Sequence, residues 1–139
     1  MFSQAIPVLL DTDTLSGIMR KNPVVIPRAQ AYLKVYNRFI FSIITRYEIL
    51  RGLKAKKATS QLVAFERICE NSQILALTDD VIMKAASIYA DLHQRGMLIG
   101  DDDILIAATG LIYDLTIITN NENHFNRIKG LHVENWLKE

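Results

Sequence analysis

A single cysteine, Cys69, excludes any intramolecular disulfide and suits a reducing cytoplasm, which is the expected location. Charge of one sign is not in excess either: 16 basic and 15 acidic residues give a net charge of +1. No global field therefore draws the chain to nucleic acid or membrane, and electrostatic recognition has to come from local patches. No apolar run approaches the length of a bilayer span, and the N-terminus lacks the basic region and long apolar stretch of a secretory leader. No membrane association is expected. Glycine-rich phosphate loops are absent, and no Ser-His-Asp or Cys-His set can be argued. The three histidines, His93, His124 and His132, have no metal-ligand spacing. His124 alone lies near the acidic residues considered below, and a structural role is expected for it. Cys69, beside Ile68 in a helical stretch, reads as a packing residue rather than a reactive thiol.

What is present fits one α/β domain over residues 1–139. Half of the 139 residues are hydrophobic and 22% are charged, enough for a real core. Ile6 to Leu10 is a continuous apolar run, as expected of a strand covered on both faces. Asp11 to Arg20 turns helical, and Pro23 and Pro27 interrupt before a helix reaching about Tyr36. Arg38 to Ser42 predicts a second strand, Thr45 to Lys54 a helix and Ser60 to Glu70 another. Gln73 to Leu77 predicts a third strand. Asp79 is expected to cap a long helix to about Gln94, with Val81, Ile82, Ala85, Ile88, Tyr89 and Leu92 at helical spacing. After a loop, Gly96 to Gly100, Asp103 to Tyr113 reads as a buried helix. Thr116 to Thr119 and Leu131 to Glu134 complete the strands of a parallel sheet. Repeats, linkers and low-complexity segments are absent.

Acidic residues recur where these strands end or helices begin, the edge of a parallel sheet on which ligands bind. Asp11 follows the first strand, and Thr12 and Asp13 add hydroxyl and carboxylate oxygens suited to a hard cation such as Mg²⁺ or Mn²⁺. Helix capping alone would need only one such residue. Asp101, Asp102 and Asp103 open the apolar helix. Asp101 or Asp102 would serve as its cap, but three adjacent carboxylates repel one another and a cation would relieve them. The small Ala107 and Ala108 let that helix lie close to the sheet, bringing Asp103 toward Asp11. Glu48 follows Ser42 and Thr45 in an otherwise basic stretch, Arg46, Arg51, Lys54, Lys56 and Lys57. That stretch is either a solvated face or a set of contacts to phosphates flanking a reacting one. Asn121 and Glu122, past the fourth strand, either position water at the site or form an ordinary Asn-rich turn, and Thr119 could hydrogen-bond a carboxylate.

Five segments, taken in order, resemble the PIN-domain ribonucleases, specifically the VapC-type toxins of prokaryotic toxin–antitoxin pairs. They are Leu9-Leu10-Asp11-Thr12-Asp13-Thr14-Leu15-Ser16; Ser42-Ile43-Ile44-Thr45-Arg46-Tyr47-Glu48 with Gly52; Ile99-Gly100-Asp101-Asp102-Asp103-Ile104-Leu105-Ile106-Ala107-Ala108; Thr119-Asn120-Asn121-Glu122-Asn123-His124-Phe125; and Gly130-Leu131-His132-Val133-Glu134-Asn135-Trp136. The resemblance implies a three-layer α/β/α PIN-like domain around a central parallel sheet of about four to five strands. It also implies an endoribonuclease dependent on Mg²⁺, for which Mn²⁺ can substitute. Asp11, Glu48 and Asp103 match the family's three acidic positions, and Asn121 a fourth that is often aspartate or asparagine. Asp13 replaces a more usual asparagine. From the residue types Asp11 and Asp103 are expected to hold the metal, and Thr12, Arg46, Arg51 and Lys54, beside the acids, to contact substrate. RNA, tRNA and initiator tRNA included, is the implied substrate. A homodimer and a cognate VapB-type antitoxin, inserting an arginine-bearing segment among the acids, are the implied partners.

The chemistry follows from the residue types. A cation neutralises the anionic phosphodiester and lowers the pKa of coordinated water, while Glu48 orients the attacking water, binds a second cation, or both. Two alternatives stay open on the residues alone. A haloacid-dehalogenase-type phosphatase would use Asp11 as nucleophile and Asp13 as general acid, but no lysine motif accompanies them. A non-catalytic PIN-fold interaction module would keep the fold without turnover.

Overall fold

Val8, Leu9 and Leu10 are all buried and form β1 (Val8–Leu10), the central strand, which explains its unbroken apolar run. The computed structural model describes residues 6–139. The N-terminal reading made from the sequence falls partly on residues 1–5, outside the described residues. After β1 come α1 (Thr12–Met19), α2 (Val25–Tyr36), β2 (Ile40–Ser42), α3 (Ile43–Ala55), α4 (Thr59–Glu70) and β3 (Gln73–Leu75). Then follow α5 (Asp79–Gln94), α6 (Asp101–Tyr113), β4 (Thr116–Ile118), α7 (Glu122–Phe125) and β5 (Val133–Glu134).

The strands form one five-stranded sheet in the order β3-β2-β1-β4-β5, every pair parallel. Side chains alternate across it. Leu9 and Ile117 face a core shared with Val81, Ala85, Leu92, Ile104 and Ala108 of α5 and α6. Val8, Leu10, Phe41 and Ile118 face the other core, with Leu15, Val25, Ile49 and Phe65 of α1 to α4 and the C-terminal Trp136. This is the expected three-layer α/β/α arrangement. From β1 the chain proceeds outward through β2 to β3, whereas β4 pairs on the other side of β1. The strand order therefore reverses between β1 and β4, and a crevice opens there at the strand C-termini.

Two strands pass into helices without a loop. Asp11 is the N-cap of α1, its carboxylate accepting from Thr12 N at 2.8 Å, and Ser42 caps α3, accepting from Ile44 N at 3.0 Å. Acids at or just after these junctions are thus held by both strand and helix.

Several element ends differ from the sequence expectation. Thr78, not Asp79, caps α5: Thr78 is extended and its hydroxyl accepts from Val81 N at 3.3 Å, while Asp79 is already helical. Gly100 occupies the N-cap of α6 with no side-chain cap, so Asp101, Asp102 and Asp103 all lie in the first turn and neither Asp101 nor Asp102 caps it. There they complement the helix dipole without using up a capping bond. Pro27 lies inside the first turn of α2, where its missing N–H breaks no helical bond; Asn22 Oδ1 instead receives Val24 N and Val25 N at 2.8 and 3.3 Å. The Asn-rich turn after β4 contains the single helical turn α7.

α6 lies close against β4 because its inner residues are small. At Gly110 an added Cβ would come within 2.7 Å of Ile117 Cδ1 and 3.2 Å of the Leu115 carbonyl oxygen. Gly110→Ala is accordingly expected to destabilise the fold by about 1–3 kcal/mol, as overpacking does. Thermal denaturation checks this, with a lowered Tm as the expected outcome.

Candidate active site

Asp11 is buried at the end of β1. One of its oxygens accepts from Thr12 N at 2.8 Å and the other from the Thr119 hydroxyl at 2.7 Å, at the end of β4. Thr119, in turn, accepts from Asn121 N at 2.9 Å. The hydroxyl of Thr14 joins α1 to β4 through the Ile118 carbonyl oxygen at 3.1 Å, and Asp13 Oδ2 accepts from Asn120 N at 3.0 Å. The two central strand ends are therefore laced together through the Asp-Thr-Asp-Thr run.

Burial, first, and the charge of Asp13, second, push the Asp11 carboxyl up to about 7; the bonds from Thr119 and Thr12 oppose the rise, and Asp103 adds to it. Asp103 is also raised, by burial first, with the His124 contact opposing and the charges of Asp102 and Asp13 adding. Its Oδ2 lies 2.9 Å from His124 Nδ1 and 3.3 Å from Asn121 Nδ2. Asp11, Asp13, Asp103 and Asn121 are thus brought together, as expected, and His124 joins them.

Glu48 stands at the neighbouring wall. Its carboxylate accepts from the Thr12 hydroxyl, which lies 3.0 Å from the Thr45 hydroxyl. Burial raises the Glu48 pKa most, Thr12 opposes it, and Asp102 raises it through both a hydrogen bond and its charge. Arg51 Nη2 lies 3.9 Å from Glu48 Oε2, and its guanidinium sits 5.2 Å from the Tyr47 ring centre. Other members of the basic stretch are arranged differently. Arg46 turns toward α4, with Nη1 2.7 Å from Glu66 Oε1 and 3.0 Å from Cys69 Sγ. Lys54 is exposed near the end of α3, where its charge acts on Glu66 rather than on the acids of the crevice.

Two residues of the site take places other than those expected from the sequence, where Asp102 is a helix cap or a member of the acidic triplet and His124 is structural. Asp102 meets Glu48 across the α3–α6 contact, and pairing between distant helices leaves no local pattern. His124 follows Asn121 by three residues, a spacing that puts both on one side of a helical turn. Such spacing was legible, had the turn been read as helical.

Among the described residues no three carboxylate, imidazole or thiol groups close into a metal cage. The donor set still fits Mg²⁺ or Mn²⁺, which are held by one or two carboxylates and keep several waters. Five carboxylates, those of Asp11, Asp13, Glu48, Asp102 and Asp103, act on one another here, with Arg51 beside them. A groove of about 600 Å³ runs from Thr12 and Glu48 between α1, α3 and α4. Met19, Ile49, Leu53 and Ile68 line it with apolar surface, and Arg20, Lys56 and Arg67 supply positive charge.

Residues 8–131 match the family model of the PIN domain. The chain is 32% identical over 122 residues to Ribonuclease VapC1 of Methanocaldococcus jannaschii, covering 88% of this chain and 81% of that protein. It is 28% identical over 129 residues to the tRNA(fMet)-specific endonuclease VapC of Salmonella typhimurium, covering 92% and 96%. Among solved structures, VapBC2 of Rickettsia felis bound to a DNA fragment from its promoter contains a chain that aligns with a TM-score of 0.84 at 25% identity, over 94% of this chain and 99% of that one.

The raised Asp11 pKa has a definite consequence for stability. Between the ordinary 3.8 and about 7, the folded protein holds a proton that the unfolded chain releases. The stability of metal-free protein should therefore fall as pH rises through that window. Glu66, Asp91 and Glu122 are shifted downward by Arg46, Arg95 and Asn135 and act in the opposite sense, but they lie in solvent, where screening is strong. Comparison with Asp11→Asn isolates the buried group. The variant is expected to show a flatter pH dependence of Tm and to melt a few degrees above wild type at pH 7 in EDTA.

Proposed function

Because this chain belongs to the PIN-domain family, we propose that it is a metal-dependent endoribonuclease, the toxin of a toxin–antitoxin pair, acting on tRNA and on initiator tRNA in particular. The observation that carries the reading is the convergence of Asp11, Glu48 and Asp103 at the β1/β4 crevice, although 37 and 55 residues separate them in sequence. Relatives named as ribonucleases, one of them a tRNA(fMet)-specific endonuclease, support the reaction and the substrate class. The family membership removes the reason for a phosphatase reading.

Asp11 and Asp103 would hold the divalent cation, which when bound would supply charge neutralisation of the phosphodiester and a more acidic water. The chain's own residues do the rest. The Thr12 amide and the Thr119 hydroxyl fix the orientation of Asp11, and the Thr12 hydroxyl, itself bonded to Thr45, fixes that of Glu48. Glu48, its pKa raised, accepts a proton from the attacking water more readily than an ordinary carboxylate would. Water oxygen attacks phosphorus, its proton passes to Glu48, the bond to the 3′-oxygen breaks, and that oxygen takes a proton from solvent, leaving a 5′-phosphate and a 3′-hydroxyl. Arg51, exposed beside Glu48, is placed to hold a neighbouring phosphate, and Thr12 lines the groove with Glu48 where substrate would pass. Arg46 would reach RNA only by leaving Glu66.

An antitoxin partner is supported by the VapBC complex that this fold resembles. The groove between α1, α3 and α4 suits a peptide segment with apolar and acidic side chains, and its open end at Glu48 would admit an arginine to the acids. A homodimer is supported by the exposed apolar residues Ile82, Met83 and Tyr89 on α5. Among the described residues no helix is long and apolar enough to cross a membrane.

Purified, antitoxin-free protein should cut tRNA into discrete 5′-phosphorylated fragments with Mg²⁺ or Mn²⁺ and not in EDTA. Glu48→Gln is expected to slow single-turnover cleavage by roughly 10²–10⁴-fold, the range for loss of a general base. Cleavage unaffected by both Glu48→Gln and Asp11→Ala would contradict the assignment, and metal binding without turnover of any RNA would favour the interaction-module reading. The groove carries a separate prediction. An added Cβ at Gly52 meets nothing within 4 Å, so Gly52→Trp should leave RNA cleavage close to wild type while weakening neutralisation by the cognate antitoxin at least tenfold, as measured by titrating antitoxin against cleavage.

A further inference from the structure

His124 is absent from the acidic set that defines the site, yet it makes the shortest contact to Asp103. It lies in α7, a single turn anchored by fully buried Phe125 in the core beneath α6. Its Nδ1 is 2.9 Å from Asp103 Oδ2 and 2.8 Å from Asn121 Nδ2, and Asn121 Nδ2 is 3.3 Å from the same Asp103 oxygen. Asp103 Oδ2 is thus enclosed by two nitrogen groups, both carried on a segment tied to β4. Among the described residues, Asp103 Oδ1 receives no hydrogen bond. One oxygen is occupied and the other carries no hydrogen bond, while the charge of Asp13 acts on Asp103 and that of Asp103 on Asp11, so the three carboxylates form one cluster.

We propose that His124 is a positioning residue: its Nδ1–H donates to Asp103 Oδ2, fixing the carboxylate so that Oδ1 is presented to the catalytic cation. This inference rests on the metal-nuclease reading above. Partners of this kind orient ligating carboxylates and characteristically contribute about 10–100-fold to metal affinity. The assignment also orients Asn121. With Nδ1–H committed to Asp103 Oδ2, Nδ1 has no lone pair for the Asn121 amide, whose N–H donates instead to the same Asp103 oxygen at 3.3 Å. Asn121 and His124 then hold Asp103 Oδ2 together.

The test is calorimetric titration of Mn²⁺ alone into full-length, antitoxin-free wild type, His124→Ala, His124→Asn and His124→Gln at one neutral pH, with Tm in EDTA measured in parallel. Asparagine keeps an N–H donor near the position of Nδ1, whereas glutamine places its donor one bond further out. The expected result is Mn²⁺ affinity reduced about 10–100-fold in His124→Ala and His124→Gln and restored at least in part by His124→Asn. The order of affinities is expected to differ from the order of Tm values, which a purely structural role would make the same. Wild-type affinity in His124→Ala would overturn the inference while leaving the metal-nuclease reading intact. Equal weakening in the Ala and Asn variants would overturn the donor role assigned to Nδ1. Failure of wild type itself to bind Mn²⁺ would overturn the metal-nuclease reading and this inference with it.

Discussion

The Asp11 carboxylate cannot turn away from its acidic neighbours, because the Thr12 amide holds one oxygen and the Thr119 hydroxyl the other. Those two donors belong to the segments that leave β1 and β4, the strands between which the sheet order reverses. Burial and nearby negative charge then leave Asp11 with a proton affinity far above that of a solvated carboxyl. The same constraint governs the rest of the site. α6 brings Asp103 in only because Ala107, Ala108 and Gly110 let the helix lie close to the sheet. Glu48 arrives because α3 begins at the last residue of β2, and the Thr12 hydroxyl then ties it to the turn that holds Asp11. A crowded, partly buried set of oxygen ligands is poorly satisfied by protons alone and well suited to a hard divalent cation.

Much of this was legible in the chain itself. The unbroken run Val8-Leu9-Leu10 marks a central strand, since only a strand covered on both faces buries every residue. The spacing of Val81, Ala85, Ile88 and Leu92 marks the buried stripe of α5. The small residues after Asp103 anticipate the close approach of α6. The element ends were less legible, because neighbouring residues compete for one cap: Thr78 and Asp79 are both good caps, and the extended backbone falls at Thr78. At α6, Gly100 takes the cap position and frees all three aspartates to act elsewhere.

Within the site, side-chain direction was the hardest thing to infer. Arg46 and Arg51 sit on the same helix as Glu48, but two residues turn the chain by roughly 200° and three by roughly 300°, so only Arg51 returns to the face of Glu48. The structure has Arg46 on Glu66 and Cys69 for that reason. The helical period would have separated the two arginines had it been applied to the basic stretch. The meeting of Asp102 with Glu48 is different in kind, since it depends on how two distant helices pack, and no local period encodes it. The groove beside Glu48 is likewise assembled at long range, its apolar and basic lining drawn from α1, α3 and α4 and their ends. In the proposed toxin–antitoxin reading, the surface that inhibits and the surface that cleaves share Thr12 and Glu48, so inhibition requires no change in the fold.

The central claim is that Asp11 and Asp103 together seat a divalent cation. Anomalous diffraction from crystals of the antitoxin-free protein grown with Mn²⁺ tests it most directly. One strong Mn²⁺ peak is expected in coordinating contact with both Asp11 and Asp103, with water filling most of the remaining positions. Mn²⁺ bound elsewhere on the protein, with neither carboxylate in contact with it, would contradict the account.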